Sequence, residues 1–119
     1  VTSREIPPSV QQQLLRLQQL QQSLNVLLTE KQRVEAELAE TNSALEELSK
    51  TDDSAIVYKA VGNVLIQTSK DKLIVELTEK KELADTRLKV VERQESRTRS
   101  QLDTLQKEVQ RALSGQTPT

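Results

Sequence analysis

Two heptad patterns mirror each other about the middle of this chain, and that symmetry restricts its fold more than any single residue. In the first arm the a and d positions fall on Val10, Gln13, Leu17, Leu20, Leu24, Leu27, Lys31, Val34, Leu38, Thr41, Leu45 and Leu48. In the second they fall on Ile74, Leu77, Lys81, Ala84, Leu88, Val91, Glu95, Thr98, Leu102, Leu105, Val109 and Ala112. Each arm carries twelve such positions, nine of them apolar, more than a helix without a partner would keep. Folding the chain back so that Leu48 faces Ile74 matches every later layer, Leu45 with Leu77 and Leu38 with Ala84, out to Val10 with Ala112. Two equal seams in one register predict a mainly α fold: a long antiparallel two-helix coiled coil made within one chain.

Composition agrees with a thin seam rather than a ball. Tyr58 is the one aromatic among 119 residues, and Phe, Trp, Met, Cys and His are absent. Leucine at heptad spacing must therefore supply most of the apolar area, and one domain over 1–119 is expected. Without Cys there is no disulfide or thiolate chemistry. Without His or Cys the commonest zinc and copper ligands are missing, and no cofactor is expected. Seventeen basic and eighteen acidic residues, interspersed, give a net charge of −1. That pattern reads as a solvated coiled-coil exterior, not the basic stripe of a nucleic-acid binder. No apolar run approaches the ~20 residues of a membrane span, and Val1-Thr2-Ser3-Arg4-Glu5-Ile6 lacks the apolar core of a signal peptide. The expectation is a soluble, cytoplasmic protein that engages neither nucleic acid nor membrane.

Along the chain, Ile6-Pro7-Pro8 is a stiff lead-in, and Ser9 with Gln12 reads as a capping box. A first helix is expected over about 10–49; at ~1.5 Å per residue it would span roughly 60 Å. The glutamines crowded into its first half, Gln11, Gln12, Gln13, Gln18, Gln19, Gln21 and Gln22, read as helix surface. Ser49 to Ser54 breaks the heptads with side chains that compete for backbone hydrogen bonds. A second helix is expected over about 70–113, started by Thr68 with Asp71 and closed by Ser114-Gly115 and Pro118.

The segment between the helices differs in kind. Two β-branched runs, Ala55 to Val61 and Val64 to Thr68, flank Gly62-Asn63. This predicts a β-hairpin within about 55–68, with Gly62 first in a type II′ turn. Alternation puts Ile56, Tyr58, Ala60 and Leu65 on one face and Val57, Val61, Val64 and Ile66 on the other. A lone two-stranded sheet is marginal in water, and both strands would be open edges. With two apolar faces and two edges, the hairpin reads as an assembly element of an obligate oligomer.

Helix, short hairpin and helix together resemble the layout of prefoldin subunits, and a single hairpin is that of the archaeal-type β class. Val57-Tyr58-Lys59-Ala60-Val61-Gly62-Asn63-Val64-Leu65-Ile66 resembles the β-class hairpin signature, and it is the most specific part of the likeness. Glu92-Arg93-Gln94-Glu95 is similar to a run in the second helix of that class, and Ala44-Leu45-Glu46-Glu47-Leu48 to the end of its first. The opening Pro7-Pro8-Ser9-Val10-Gln11 through Leu20-Gln21-Gln22 is similar as well. The resemblance implies a hexameric, ATP-independent chaperone in which two α-type and four β-type subunits join hairpins into a double β-barrel. Ile56, Val57, Tyr58, Val61, Gly62, Val64, Leu65 and Ile66 would then make the subunit contacts, with α-type prefoldin subunits and further copies of this chain as partners. The far ends of the coiled coils would hold unfolded polypeptides for delivery to a group II chaperonin.

The residues at those ends fit that expectation. Leu14, Leu15 and Leu113 lie off the seam, and Ile6, Val10, Leu17 and Val109 could join them if the ends splay. All are aliphatic, so any aromatic tip contacts of relatives have no counterpart here. An enzyme is not expected: no His or Cys, no phosphate-binding Gly loop and no pocket-sized core are available to build a site. The other reading is a structural scaffold or tether whose hairpin only sets oligomer number. Lys59 reads either as a salt-bridge partner across subunits or as an edge-strand charge that blocks wrong pairing. Within the seam, Lys31, Glu95 and Thr98 form a polar notch. Replacing Lys31 and Glu95 together by leucine should raise the melting temperature; a lower one would mean that the heptad register is wrong.

Overall fold

The computed structural model describes residues 6–115. Four elements follow in order: α1 (Pro8–Ser49), β1 (Val57–Val61), β2 (Val64–Thr68) and α2 (Lys70–Leu113). The described residues divide into two compact units, one of residues 31–90 and the other of residues 6–30 with 91–115.

The unit of residues 31–90 holds the hairpin and the flanking parts of both helices. Its centre is Val34, which is 0% exposed, with Thr41, Leu48 and Ala84 also buried. Leu38, Leu45, Ile74, Leu77, Lys81 and Leu88 are half-buried around them. Thr41 is polar, but its hydroxyl donates to the Glu37 carbonyl at 2.7 Å, so it is not stranded in the seam. Arg87 of α2 approaches Glu37 of α1 at 3.8 Å, at the height where the heptads set Leu38 against Ala84. In the other unit Val10, Leu20, Leu24, Val91 and Val109 are buried, with Leu17, Leu27, Leu102 and Leu105 half-buried. Every a and d position of the first arm is covered, and so is every one of the second except Ala112. Ala112 is exposed one residue before α2 ends; a methyl group there offers little area to bury.

Surface ion pairs add little to this. Arg33–Glu37, Lys50–Glu46, Arg99–Glu95 and Lys107–Asp103 are spaced i,i+4 at 2.9–3.5 Å. Such exposed pairs are worth about 0.3–0.5 kcal/mol each, whereas burying one Val or Leu side chain is worth about 1.5–3 kcal/mol. The seam therefore dominates.

The helix ends differ from the sequence expectation in two places. α1 begins at Pro8 rather than Val10, because a proline in the first helical position has φ already set and lacks only an N–H with no partner there. The Pro7 carbonyl accepts from the amides of Val10 and Gln11, both at 3.0 Å, and the Gln11 side-chain amide donates to the Ile6 carbonyl at 3.0 Å. Ser9 thus sits inside the helix rather than capping it. At α2 the cap is Ser69, whose hydroxyl accepts from the Lys72 amide at 3.2 Å. Thr68 is not available for that role because β2 holds it opposite Val57. Gly115 has φ of +72°, the left-handed conformation expected at this C-terminus. Pro118 lies outside the described residues.

Between α1 and β1 the chain turns on polar contacts. The amides of Lys50 and Thr51 donate to the carbonyls of Glu47 and Leu48 at 3.2 and 3.1 Å, tightening the last turn. Asp52 then makes a side-chain turn, its Oδ1 accepting from the Ser54 amide at 2.9 Å and the Ser54 hydroxyl at 2.8 Å. The Ser54 amide first, then its hydroxyl, with the Lys70 ammonium adding to them, hold the Asp52 carboxyl below the usual carboxylate range.

Two outcomes follow. Val34→Ala should lower stability by about 2 kcal/mol through lost burial and a residual cavity, read as a lower denaturant midpoint at unchanged slope. A loss under about 0.5 kcal/mol, the range of ordinary surface substitutions, would place the centre of this unit elsewhere. For Asp52, a depressed folded-state pKa means that the turn's stabilisation is present above the unfolded value and lost as pH falls through the folded one. The Ser54 amide resonance should therefore move with a midpoint below the ordinary aspartate value of about 3.9. Asp52→Asn should abolish that movement.

Candidate functional site

The hairpin is antiparallel, pairing Val57 with Thr68, Tyr58 with Gln67, Lys59 with Ile66, Ala60 with Leu65, and Val61 with Val64. The two-residue turn is Gly62-Asn63, with Gly62 at φ of +58° and no positive φ at Asn63. That combination is the type II′ signature, whose twist matches the strands. An L side chain at position 62 would meet no neighbour but would be held in strained backbone.

This register fixes the faces. Paired residues point the same way, so Tyr58, Gln67, Ala60 and Leu65 share one face, and Val57, Lys59, Val61, Val64, Ile66 and Thr68 share the other. The first face is open: Ile56 and Tyr58 beside it are exposed, and Leu65 is 70% exposed. On the second face Val57, Lys59 and Thr68 are half-buried, yet Val61, Val64 and Ile66 remain exposed. β1 and β2 make a two-stranded sheet, so each also has an unpaired edge. Six large apolar side chains stand in water here; at about 1.5–3 kcal/mol for full burial of each, and with roughly half of each still uncovered, a partner sheet would gain on the order of 5–10 kcal/mol before association costs.

Two ion pairs tie the hairpin region to α2. Lys59 reaches Glu76 of its own chain at 3.0 Å, a partner that neither sequence reading of Lys59, as an intersubunit pair or as an edge charge, names. Lys70 donates to the Thr51 carbonyl at 2.7 Å and to Asp53 Oδ1 at 2.9 Å. Neither contact was legible from spacing, because both join residues 17–19 positions apart through the turn geometry.

The residues expected to hold unfolded chains fall into two groups. Ile6, Leu15 and Leu113 are exposed, and Leu14 and Leu17 are half-buried. Val10 and Val109 are each only 5% exposed; they fill the seam and would reach a ligand only if the helices part. Further along this unit Gln19, Gln22, Val26, Leu27, Gln94 and Arg97 line an open groove of about 670 Å³, with Val26 largely exposed. In the hairpin-bearing unit Val75, Leu83 and Val90 of α2 are also exposed. Reading only the a and d positions passes over these four, although Val75, Leu83 and Val90 recur at seven- and eight-residue spacing.

Comparison with known proteins gives this geometry a family. The sequence profile of the prefoldin subunit family matches residues 11–116. The chain is 48% identical to prefoldin subunit beta of Archaeoglobus fulgidus over 94% of its own length and 97% of the relative's. It is 45% identical to prefoldin subunit beta of Sulfurisphaera tokodaii, over 94% and 90%. Among solved structures, the crystal structure of the prefoldin beta subunit from Thermococcus strain KS-1 superposes with a TM-score of 0.85 at 40% identity, covering 98% of this chain and all of that one. Two long helices, one hairpin between them and this degree of identity across nearly the whole length have one reading: the chain belongs to the prefoldin family, in its β class.

Proposed function

We propose that this chain is one of the subunits of a cytoplasmic, ATP-independent prefoldin chaperone and performs no catalysis. In this reading β1 and β2 join the hairpins of α-class subunits and of further copies of the chain into a β-barrel, giving a hexamer. The ends of α1 and α2 hold unfolded polypeptides, which pass to a group II chaperonin. The observation that carries it is the hairpin: two unpaired edges and two faces on which Ile56, Tyr58, Val61, Val64, Leu65 and Ile66 stay exposed, the second face being only partly covered. Among the described residues no helix is long and apolar enough to cross a membrane.

Client capture follows from chemistry at the other unit. Ile6, Leu14, Leu15, Leu17 and Leu113 offer flexible aliphatic area without a shaped pocket, which suits clients that share only exposed apolar segments. One arm would gain a few kcal/mol at ~25 cal/mol per Å². Several arms on one client act with high effective concentration, because later contacts become intramolecular. A scaffold or tether would share the hairpin but have no such activity.

Two variants separate these parts. Replacing Val61-Gly62-Asn63-Val64 with a helical linker should keep helical circular dichroism and abolish the oligomer. A light-scattering mass unchanged by that replacement refutes assembly through the hairpin. Leu14→Ser, Leu15→Ser and Leu113→Ser together should cut suppression of aggregation of a denatured protein severalfold at unchanged oligomer mass. Full protection by that assembled variant would move the client surface away from these leucines.

A further inference from the structure

Lys70 is the first residue of α2, where the helix dipole is positive and a cation is disfavoured. Its side chain is nonetheless drawn in, at 13% exposure, and donates to the Thr51 carbonyl and the Asp53 carboxylate at 2.7 and 2.9 Å. α1 has no basic residue in its last turn, and the Thr51 carbonyl lies two residues past its end. A cation is favoured there; Lys50, just past the helix, turns to Glu46 at 3.5 Å, and the ammonium that reaches the Thr51 carbonyl comes from the start of the other helix. Thr51 and Asp53 lead into the hairpin and Lys70 follows it, so one ammonium holds both of its stems.

The neighbouring contacts are weaker. Asp53 is 89% exposed and Lys59–Glu76 is half-exposed, the class of pair that is worth little in water. The hydrogen bond to the Thr51 carbonyl is charge-assisted and largely shielded. No residue from Lys50 through Ser69 is fully buried, and only Thr51, Ala55, Val57, Lys59 and Thr68 are half-buried; with packing this partial, the shielded polar contact of Lys70 carries much of the hairpin's attitude to its helices.

We propose that Lys70 is the positioning residue of the assembly element: its ammonium clamps the two stems so that each hairpin meets its neighbours already aimed. The inference rests on the hairpin being the assembly surface. A hairpin free to swing on its stems must be ordered at the moment of association, and that cost recurs for every subunit that joins.

The test uses the full chain, alone and mixed with an α-class prefoldin subunit, with mass followed against concentration by light scattering. Lys70→Met keeps the aliphatic stem and deletes the charge; it should move the assembly midpoint at least tenfold to higher concentration. Lys70→Arg should restore assembly to within about threefold of the native chain. Asp53→Lys, at an exposed position, should raise the midpoint without threatening the fold, and it decides the matter if Lys70→Met does not fold. The chain has no cysteine, so spin labels on Asn63→Cys and Glu79→Cys report hairpin attitude cleanly. Lys70→Met should broaden that distance distribution while the β1–β2 amides stay protected. A native midpoint in both Lys70→Met and Asp53→Lys, or an unbroadened distribution, overturns the clamp. Val64→Asp with Leu65→Asp is the control. If it assembles normally, the hairpin is not the interface and the underlying reading fails; if it dissociates while the Lys70 variants do not, only the clamp fails.

Discussion

Aliphatic packing along a seam shared by two helices is the interaction on which everything else in this chain depends. With one aromatic residue in the whole sequence, stability must come from many modest burials such as Val34, Leu48, Leu20 and Val109. Each is worth a few kcal/mol at most, and their number is set by helix length. Such a seam covers one stripe of each helix and leaves the flanks to solvent. It also leaves nothing to cover the segment that joins the helices. The open hairpin is thus a direct result of how the helices are stabilised.

That separation divides the labour between two kinds of contact. Apolar seam residues hold the helices, whereas the contacts within and around the segment between them are mostly polar: the Asp52–Ser54 turn, the half-exposed Lys59–Glu76 pair and, most shielded, Lys70 on the Thr51 carbonyl. The apolar side chains of the hairpin are consequently not used up inside the subunit. Tyr58, Leu65, Val61, Val64 and Ile66 remain exposed, on a segment that meets α2 through the polar side chains of Lys59 and Lys70.

The fold was legible in the sequence because both of its signals are local and periodic. Heptads identified the covered positions down to Lys31, Glu95 and Thr98, and only Ala112 escaped burial. Two β-branched runs around Gly62-Asn63 located the strands, and the left-handed φ of Gly62 follows from the turn type. Single-residue competitions were harder to read. Ser69 takes the cap that the Thr68–Asp71 spacing assigned to Thr68, since Thr68 belongs to the strand ladder. Pro8 drew the start of α1 two residues back. The strand faces were readable residue by residue, but the contacts of Lys70 were not, because its partners lie 17 and 19 residues away in the chain. At the helix ends, exposure sorts Leu15 and Leu113 from the buried Val10 and Val109, a distinction that composition does not contain.

Tyr58 has a consequence of a different sort. It is the chain's only aromatic side chain and it lies on the open hairpin face, more than half exposed. Near-ultraviolet absorbance and emission of the isolated chain therefore arise from a single ring at the place where subunits would meet, with no background from either helix. Helical content, by contrast, is read in the peptide region, where that ring contributes little. The protein thus carries two optically separate reporters, one for its helices and one for its hairpin, without any label being added.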